Sequence, residues 1–512
     1  MEKRPPELRR EAGILLHPTS LPGPHGMGDL GASAQRFVDW LASAGCSLWQ
    51  VLPLGPTGNN CPYACWSALA GNPLLVDLSA LCAEGLLDEV DLTPPAFPPD
   101  GLIDYDAVRA FKQPRLERAA RRLLAEPSHP LAAKYRAFRD QEAWALDAAL
   151  FAVLKRRRGG AAYWDWERPL CDRDPAALAE VQRELAAEIE EEAVSLFFFE
   201  HQWAELRAYC HTRGVRLIGD IPIYVDRDSC DVWSHPHLFF LDARGLPTAV
   251  SGVPPDYFSE LGQLWGNPLY RWEKMAEDDY FWWRRRLARA LAQTDIVRID
   301  HFRALAEYWA VPFGAPDARA GRWVEGPGIG FFQAIERHAG KLPLIAEDLG
   351  LIDDKVHTLR EASGLPGMRV LQFAFGGDAE NTHLPHNHTV DSVVYSGTHD
   401  NDTTLGWWRT AEPHLRTHVQ RYLRVSGEDI SWDLIHAALA SVGHVAILPM
   451  QDVLRLGGEA RMNSPGCQDG NWRWKLTGDP FSSDLAGRLR DLAWLYGRVP
   501  RPKKSPGSST PT

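Results

Sequence analysis

The sequence predicts an α/β fold, a (β/α)8 TIM barrel with large, mainly helical insertions between barrel strands. Three observations predict it. Eight strand-sized apolar segments recur along the chain, mostly continuous rather than alternating, as strands buried on both faces of a parallel sheet require. Helical patterns lie between several of them. The length of 512 residues exceeds what a bare barrel needs, so the surplus must sit between barrel elements.

The elements follow in order. Residues 1–77 hold an N-terminal segment and two strands, GILLHP (13–18) and LWQVLPL (48–54), with the helix QRFVDWLASAG (35–45) between them. Residues 78–210 are helical and charge-rich and read as an insertion that stops at Gly214; its acidic run EIEEEAV reads as a solvated helix face. Strand three is VRLIGDIPIYV, within 211–225. Residues 226–290, rich in Pro, Gly and aromatics and closing with a helix, form a second insertion. Residues 291–498 supply strands four to eight, DIVRIDHF (295–302), LPLIAEDLG (342–350), RVLQFAF (369–375), SVVYSGTHD (392–400) and HVAILPM (444–450). Helices at 331–340 and 353–364 lie among them, and DLAGRLRDLAWLYGR (484–498) is the final helix. The Pro/Ser-rich end, 499–512, is expected to be disordered.

Composition narrows the partners. With 45% hydrophobic and 24% charged residues and a mean hydropathy of −0.29, the chain can bury a sizeable core. A net charge of −12 argues against nucleic acid or an anionic membrane surface, both of which favour basic patches. No apolar run approaches the roughly 18 residues of a membrane span, and the run before His17 is too short for a signal-peptide core. A cytoplasmic location is the expectation. The eight cysteines lack paired metal-site spacing; Cys61 and Cys65 find no second close pair, so free thiols are expected. The 20 Trp and 13 Tyr suit either a core or a sugar-binding cleft where rings stack on pyranose faces.

Chemistry enters at the strand ends. In a parallel barrel all C-terminal strand ends meet on one rim, and Asp220, Asp300, Glu347 and Asp400 each close an apolar strand segment. Period-two alternation puts Arg298 on the same strand face as Asp300, where its charge favours an ionised carboxylate. Glu347 needs the opposite treatment to act as an acid, and Asp348 or Asp300 could raise it by like-charge repulsion. His301 falls on the other strand face and reaches the rim only if the chain turns there. Two functional readings fit such a rim: a metal site, or cleavage of a glycosidic bond by a nucleophilic carboxylate and a carboxylic acid. The metal reading lacks a His-x-His pair at strand one, which reads HPT at 17–19.

The motifs LLHPTSLPGPHGMGDLG (15–31), PLGPTGNNCPYACWSALAGNPLL (53–75), GDIPIYV (219–225), GVPPDYFSELGQLWGNPLY (252–270), VRIDHFRA (297–304), GRWVEGPG (321–328), IAEDLG (345–350), PGMRVLQFAF (366–375), SGTHDNDTT (396–404) and RMNSPG (461–466) carry a resemblance. In that order, from about Gly13 to Lys475, the chain resembles glycoside hydrolase family 77, the 4-α-glucanotransferases or amylomaltases. The resemblance implies a retaining double displacement on α-1,4-glucans and maltooligosaccharides as donor and acceptor, with neither metal nor cofactor. It implies Asp300 as nucleophile, Glu347 as general acid/base and Asp400 as transition-state stabiliser. Arg298 and His399 match positions that contact sugar in the catalytic subsite. Asp220, Tyr63, Trp265, Phe373 and Asn463 match donor and acceptor subsites, and Tyr257 lies on a loop that closes over substrate. The pattern is broken by Cys61, where Ser is usual, and by Ala304, where Gly is usual; both bear on acceptor contacts and packing rather than on the acids. An amylase-like hydrolase with the same acids is the alternative, followed by a metal-dependent hydrolase and a non-catalytic glucan-binding protein.

Overall fold

The computed structural model describes residues 8–98, 101–255, 259–467 and 469–500. Among the described residues there are twelve strands: β1 (Glu11–Leu15), β2 (Leu48–Gln50), β3 (Arg216–Ile221), β4 (Ala249–Val253), β5 (Gln263–Pro268), β6 (Ile296–Ile299), β7 (Glu307–Pro312), β8 (Arg322–Glu325), β9 (Leu344–Ala346), β10 (Gly367–Val370), β11 (Ser392–Tyr395) and β12 (Val445–Pro449). Eight of them form one parallel sheet in the order β10-β11-β12-β1-β2-β3-β6-β9. Ile14, Trp49, Leu217, Val297, Ile345, Met368, Val394 and Ile447, one from each, have no exposed surface, which is why these segments read as unbroken apolar runs.

The sheet closes between β9 and β10 by another means than a ladder. The Ala346 N–H donates to the Pro366 carbonyl at 3.0 Å, and the Met368 N–H donates to Asp348 Oδ1 at 2.6 Å. A buried carboxylate therefore stitches the barrel seam, one residue from Glu347. The approach is so close that a Cβ on Gly367 would lie 2.3 Å from Asp348 Oδ2. Gly367→Ala should cost about 1–3 kcal/mol by overpacking, read as a lower urea midpoint, and should depress turnover because the seam carries Glu347. A midpoint equal to the wild type would refute the steric argument.

Helices cover the barrel. Ala32–Ser43 buries Phe37, Val38, Trp40 and Leu41 and ends at Gly45, where φ is +72°. Between β2 and β3 the chain builds Tyr105–Ala125, Pro130–Gln141, Trp144–Arg157, Pro175–Glu184 and the long helix Ala186–Thr212. The run EIEEEAV on that last helix is not a solvated face. Glu190 pairs with Arg139 at 3.2 Å, Glu191 with Arg121 at 2.8 Å and Glu192 with Arg156 at 2.9 Å, and Glu188 pairs with Arg157. The acids thus join the helices of the insertion side by side.

Two features depart from the sequence reading. The strand expected at 369–375 is displaced toward the N-terminus: β10 ends at Val370, and Leu371–Phe373 forms a 3-10 turn. Leu371, Ala374 and Phe375 are buried there, a need that a turn and a strand share, while Phe373 is exposed. The second feature is a separate antiparallel sheet, β5-β4-β7-β8, built from both sides of β6. Val250 and Val311 pack around Ala318 in its own small core. No helix among the described residues is long and apolar enough to cross a membrane. Most of the 499–512 tail, from residue 501 on, lies outside the described residues.

Candidate active site

The rim site begins with strand register. Asp220 of β3 pairs directly with Arg298 of β6, so the two side chains share the barrel interior. Arg298 Nη1 donates to Asp220 Oδ1 and Oδ2 at 2.8 and 2.7 Å. Its Nη2 reaches Asp300 Oδ1 at 2.9 Å. One buried guanidinium therefore holds two carboxylates, and Tyr63 completes the chain by donating its hydroxyl to Asp220 Oδ2 at 2.7 Å. Burial works against the charge of Arg298, but Asp220 first and Asp300 second outweigh it and hold its pKa well above the usual value.

The Asp300 carboxyl corrects one expectation. Arg298 does pull it down, yet burial is the larger influence, and with Asp220, Glu347 and Asp400 it moves the pKa well upward. Glu347 is raised too, and here also burial leads; Asp348 makes only a lesser contribution. The direction expected for Glu347 stands, with a different main cause. Asp348 is occupied elsewhere, beside Arg360 at 3.3 Å and Arg369 at 3.5 Å.

His301 answers the question its strand position raised. The chain turns there, in the left-handed region with φ +50°. The turn aims the His301 N–H at Glu347 Oε2, 2.6 Å away, and the Leu349 N–H donates to the other oxygen, Oε1, at 2.8 Å. Glu347 is fixed by backbone from its own strand end and from the strand end that carries Asp300. The same turn sets the imidazole edge-on to Trp265 of β5, with ring centroids 4.6 Å apart. Burial lowers the His301 pKa to about 3, so the ring is neutral.

The third carboxylate stands across the rim. Asp400 Oδ1 accepts a hydrogen bond from Asn463 Nδ2 at 2.6 Å, and Oδ2 lies 3.4 Å from His399 Nε2. His399 is buried, which lowers its pKa although Asp400 opposes this. Its ring stacks on Tyr63 at 5.2 Å and 11°, and Trp472 leans on both rings. This stack joins the Asp400 side of the rim to the Asp220–Arg298–Asp300 side.

The structure thus joins Tyr63, Asp220, Arg298, Asp300, His399, Asp400 and Asn463 in one contact network, and sets beside it, through the Asp300–His301 peptide, the group His301, Glu347 and Trp265. Phe373 is 39% exposed and meets His383; among the described residues no hydrogen bond, ion pair or ring contact ties it to the carboxylates. Tyr257 lies outside the described residues. Trp472 and Arg461 escaped the sequence reading. Arg461 Nη2 donates to the Asp400 carbonyl at 2.9 Å and its Nε to the Asn463 carbonyl at 2.7 Å. Its place in RMNSPG, two residues before Asn463, was the available signal. Tyr63→Phe should lower kcat/KM by about 10- to 100-fold, the equivalent of leaving a buried carboxylate one hydrogen bond short. Steady-state kinetics on maltotriose checks it, and an unchanged value would remove Tyr63 from the site's support.

Carboxylates in different surroundings on one barrel rim, with aromatic surface beside them, are the equipment of a (β/α)8 enzyme acting on glycosidic bonds. Residues 16–480 match the family model described as 4-alpha-glucanotransferase. The chain is 48% identical over 503 residues to a 4-alpha-glucanotransferase of Thermus thermophilus, covering 96% of this chain and 100% of that protein. It is 47% identical over 502 residues to a chloroplastic/amyloplastic 4-alpha-glucanotransferase of Arabidopsis thaliana, covering 96% and 87%. Its fold is similar to that of an amylomaltase from Streptococcus agalactiae in complex with acarbose, with a TM-score of 0.93, 35% identity, and coverage of 96% and 100%. The chain belongs to glycoside hydrolase family 77, the 4-alpha-glucanotransferases.

Proposed function

We propose that this protein transfers a segment of an α-1,4-glucan to the 4-hydroxyl of another glucan or of glucose by a retaining double displacement. The observation that carries the reading is the pair of differently supported acids on neighbouring strand ends. Asp300 is held by a guanidinium, and Glu347 is buried and held by two backbone N–H groups. Glu347 protonates the glycosidic oxygen while Asp300 attacks the anomeric carbon; the reducing-end fragment leaves and a covalent glycosyl-enzyme remains. Glu347, now ionised, removes the proton from an incoming 4-hydroxyl, which displaces Asp300 and restores both groups. Asp400 faces the positive charge that develops on the sugar ring. Arg298 and the neutral His301 and His399 rings offer hydrogen bonds to sugar hydroxyls, with Asp220, Tyr63, Trp265, Phe373 and Asn463 shaping the subsites.

Transfer requires that an acceptor reach the intermediate before water. Trp265, 39% exposed beside His301, offers an apolar face on which an acceptor pyranose can lie. Incubation with maltotriose should yield glucose and a ladder of longer maltooligosaccharides. Glucose and maltose alone would make the protein a hydrolase. We further propose a cytoplasmic location, where the eight cysteines, all free, would stay reduced.

A further inference from the structure

The loop that carries His399 and Asp400 is tied down by a buried carboxylate, Asp452. The chain leaves β11 at Tyr395 and enters the helix Thr404–Thr410 nine residues later. Asp452, in the short helix Met450–Val453 that follows β12, is 1% exposed. Its Oδ2 accepts from the Ser396 hydroxyl at 2.6 Å and from the Thr404 hydroxyl at 2.8 Å, and its Oδ1 accepts from the Thr404 N–H at 2.7 Å. One side chain thus grips both ends of the loop. Among the described residues no ion pair to Asp452 is seen, and burial raises its pKa. A buried carboxylate with no counter-charge is costly. Three hydrogen bonds, all to the loop, offset that cost.

Other ties hold the loop's interior. Asn401 Oδ1 accepts from the Thr398 N–H and hydroxyl, and Gln372 Nε2 donates to the Asp402 carbonyl at 2.9 Å. Arg461 and Asn463 grip Asp400 itself. Gln372 also spans the loop, its N–H donating to the Ser396 carbonyl at 3.3 Å and its Nε2 to the Thr404 hydroxyl at 3.5 Å; the bonds to Asp452, at 2.6–2.8 Å, are the shorter ones. We infer that Asp452 is a positioning residue for the transfer reaction: its carboxylate clamps Ser396 to Thr404 and so fixes the height of His399 and Asp400 on the barrel rim. It touches no substrate. The inference rests on the role proposed above for Asp400.

The chemistry of the clamp predicts which substitution is tolerated. In Asp452→Asn the amide oxygen can still accept from the Thr404 N–H, while the amide N–H2 donates to two hydroxyls that can turn to accept. Asp452→Ala removes all three bonds. Displacement of a reacting group by about 1 Å costs on the order of 100-fold in rate. Asp452→Ala should therefore lower kcat by about 100-fold with little change in KM, since the interaction lost belongs to the transition state. Asp452→Asn should recover most of that loss. The defect of Asp452→Ala should be equally large with α-glucosyl fluoride, whose leaving group needs no acid, because Asp400 acts on the sugar and not on the leaving group. Circular dichroism at the assay temperature must show Asp452→Ala folded. If it does not fold, Ser396→Ala/Thr404→Val, which leaves the backbone bond, takes its place with an intermediate fall in kcat. Wild-type kcat in the alanine or double variant would overturn the clamp, and so would failure of Asp452→Asn to recover activity. A parallel Asp400→Asn measurement separates the two ideas: full turnover there would sink the role of Asp400, whereas its loss beside a normal Asp452→Ala would sink the clamp alone.

Discussion

Asp300→Ala is expected to abolish transfer, lowering kcat on maltotriose by roughly 10^4- to 10^6-fold, as removal of a covalent nucleophile does elsewhere. The fold should survive, because the Asp300 side chain is 25% exposed and Arg298 Nη1 keeps its contacts to both Asp220 oxygens. The loss should be partly reversible by azide. In the cavity left by the carboxylate, azide attacks the anomeric carbon from the face that Asp300 occupied, so an α-linked donor gives a β-glucosyl azide. Appearance of the α-azide, or turnover within tenfold of the wild type, would assign the nucleophile elsewhere.

Glu347→Gln should be the second most damaging change, with a fall of about 10^2- to 10^4-fold on maltotriose, whose leaving oxygen must be protonated. With α-glucosyl fluoride the first step needs no acid. The glycosyl-enzyme should accumulate, visible in the intact mass as one added glycosyl unit on Asp300, and azide should release it as the α-azide by attack from the opposite face. The pH profile follows from the same two groups. Asp300 must be ionised, so activity falls as pH drops through its pKa; Glu347 must be protonated, so activity falls as pH rises through its own. Burial raises both, so both limbs of the kcat/KM bell should lie above the ordinary carboxylate range, near pH 4. Loss of the alkaline limb in Glu347→Gln would support the assignment, and an intact limb would contradict it.

What could be read from residues alone follows from how simple the relevant geometry is. A strand buried on both faces has to be apolar until it reaches the rim, so the first acid after each run marks a strand end, and parallel connection puts those ends together. Asp220, Asp300, Glu347 and Asp400 were legible for that reason. The pair Arg298 and Asp300 followed from period-two alternation. The second sheet was not legible, because AVSGV and QLWGNP are broken by glycine, asparagine and proline and their partners lie beyond β6. The 3-10 turn after β10 was hidden because burial makes turns and strands equally apolar. EIEEEAV misled because composition does not show which arginines face it.

The barrel, the order of its strands, the rim on which the acids gather and the family motifs around them can all be read from the residues. These depend on local pattern and on connection rules that leave few alternatives. Which charges meet and how each acid is held became visible in the folded protein alone. Arg298 spans Asp220 and Asp300, His301 turns its N–H to Glu347, Asp348 closes the seam and Asp452 grips the Asp400 loop. Desolvation at the packed rim then opposes the neighbouring Arg298 in setting Asp300. The physical reason is that desolvation and hydrogen-bond geometry depend on groups distant in sequence, whereas strand pattern depends on neighbours.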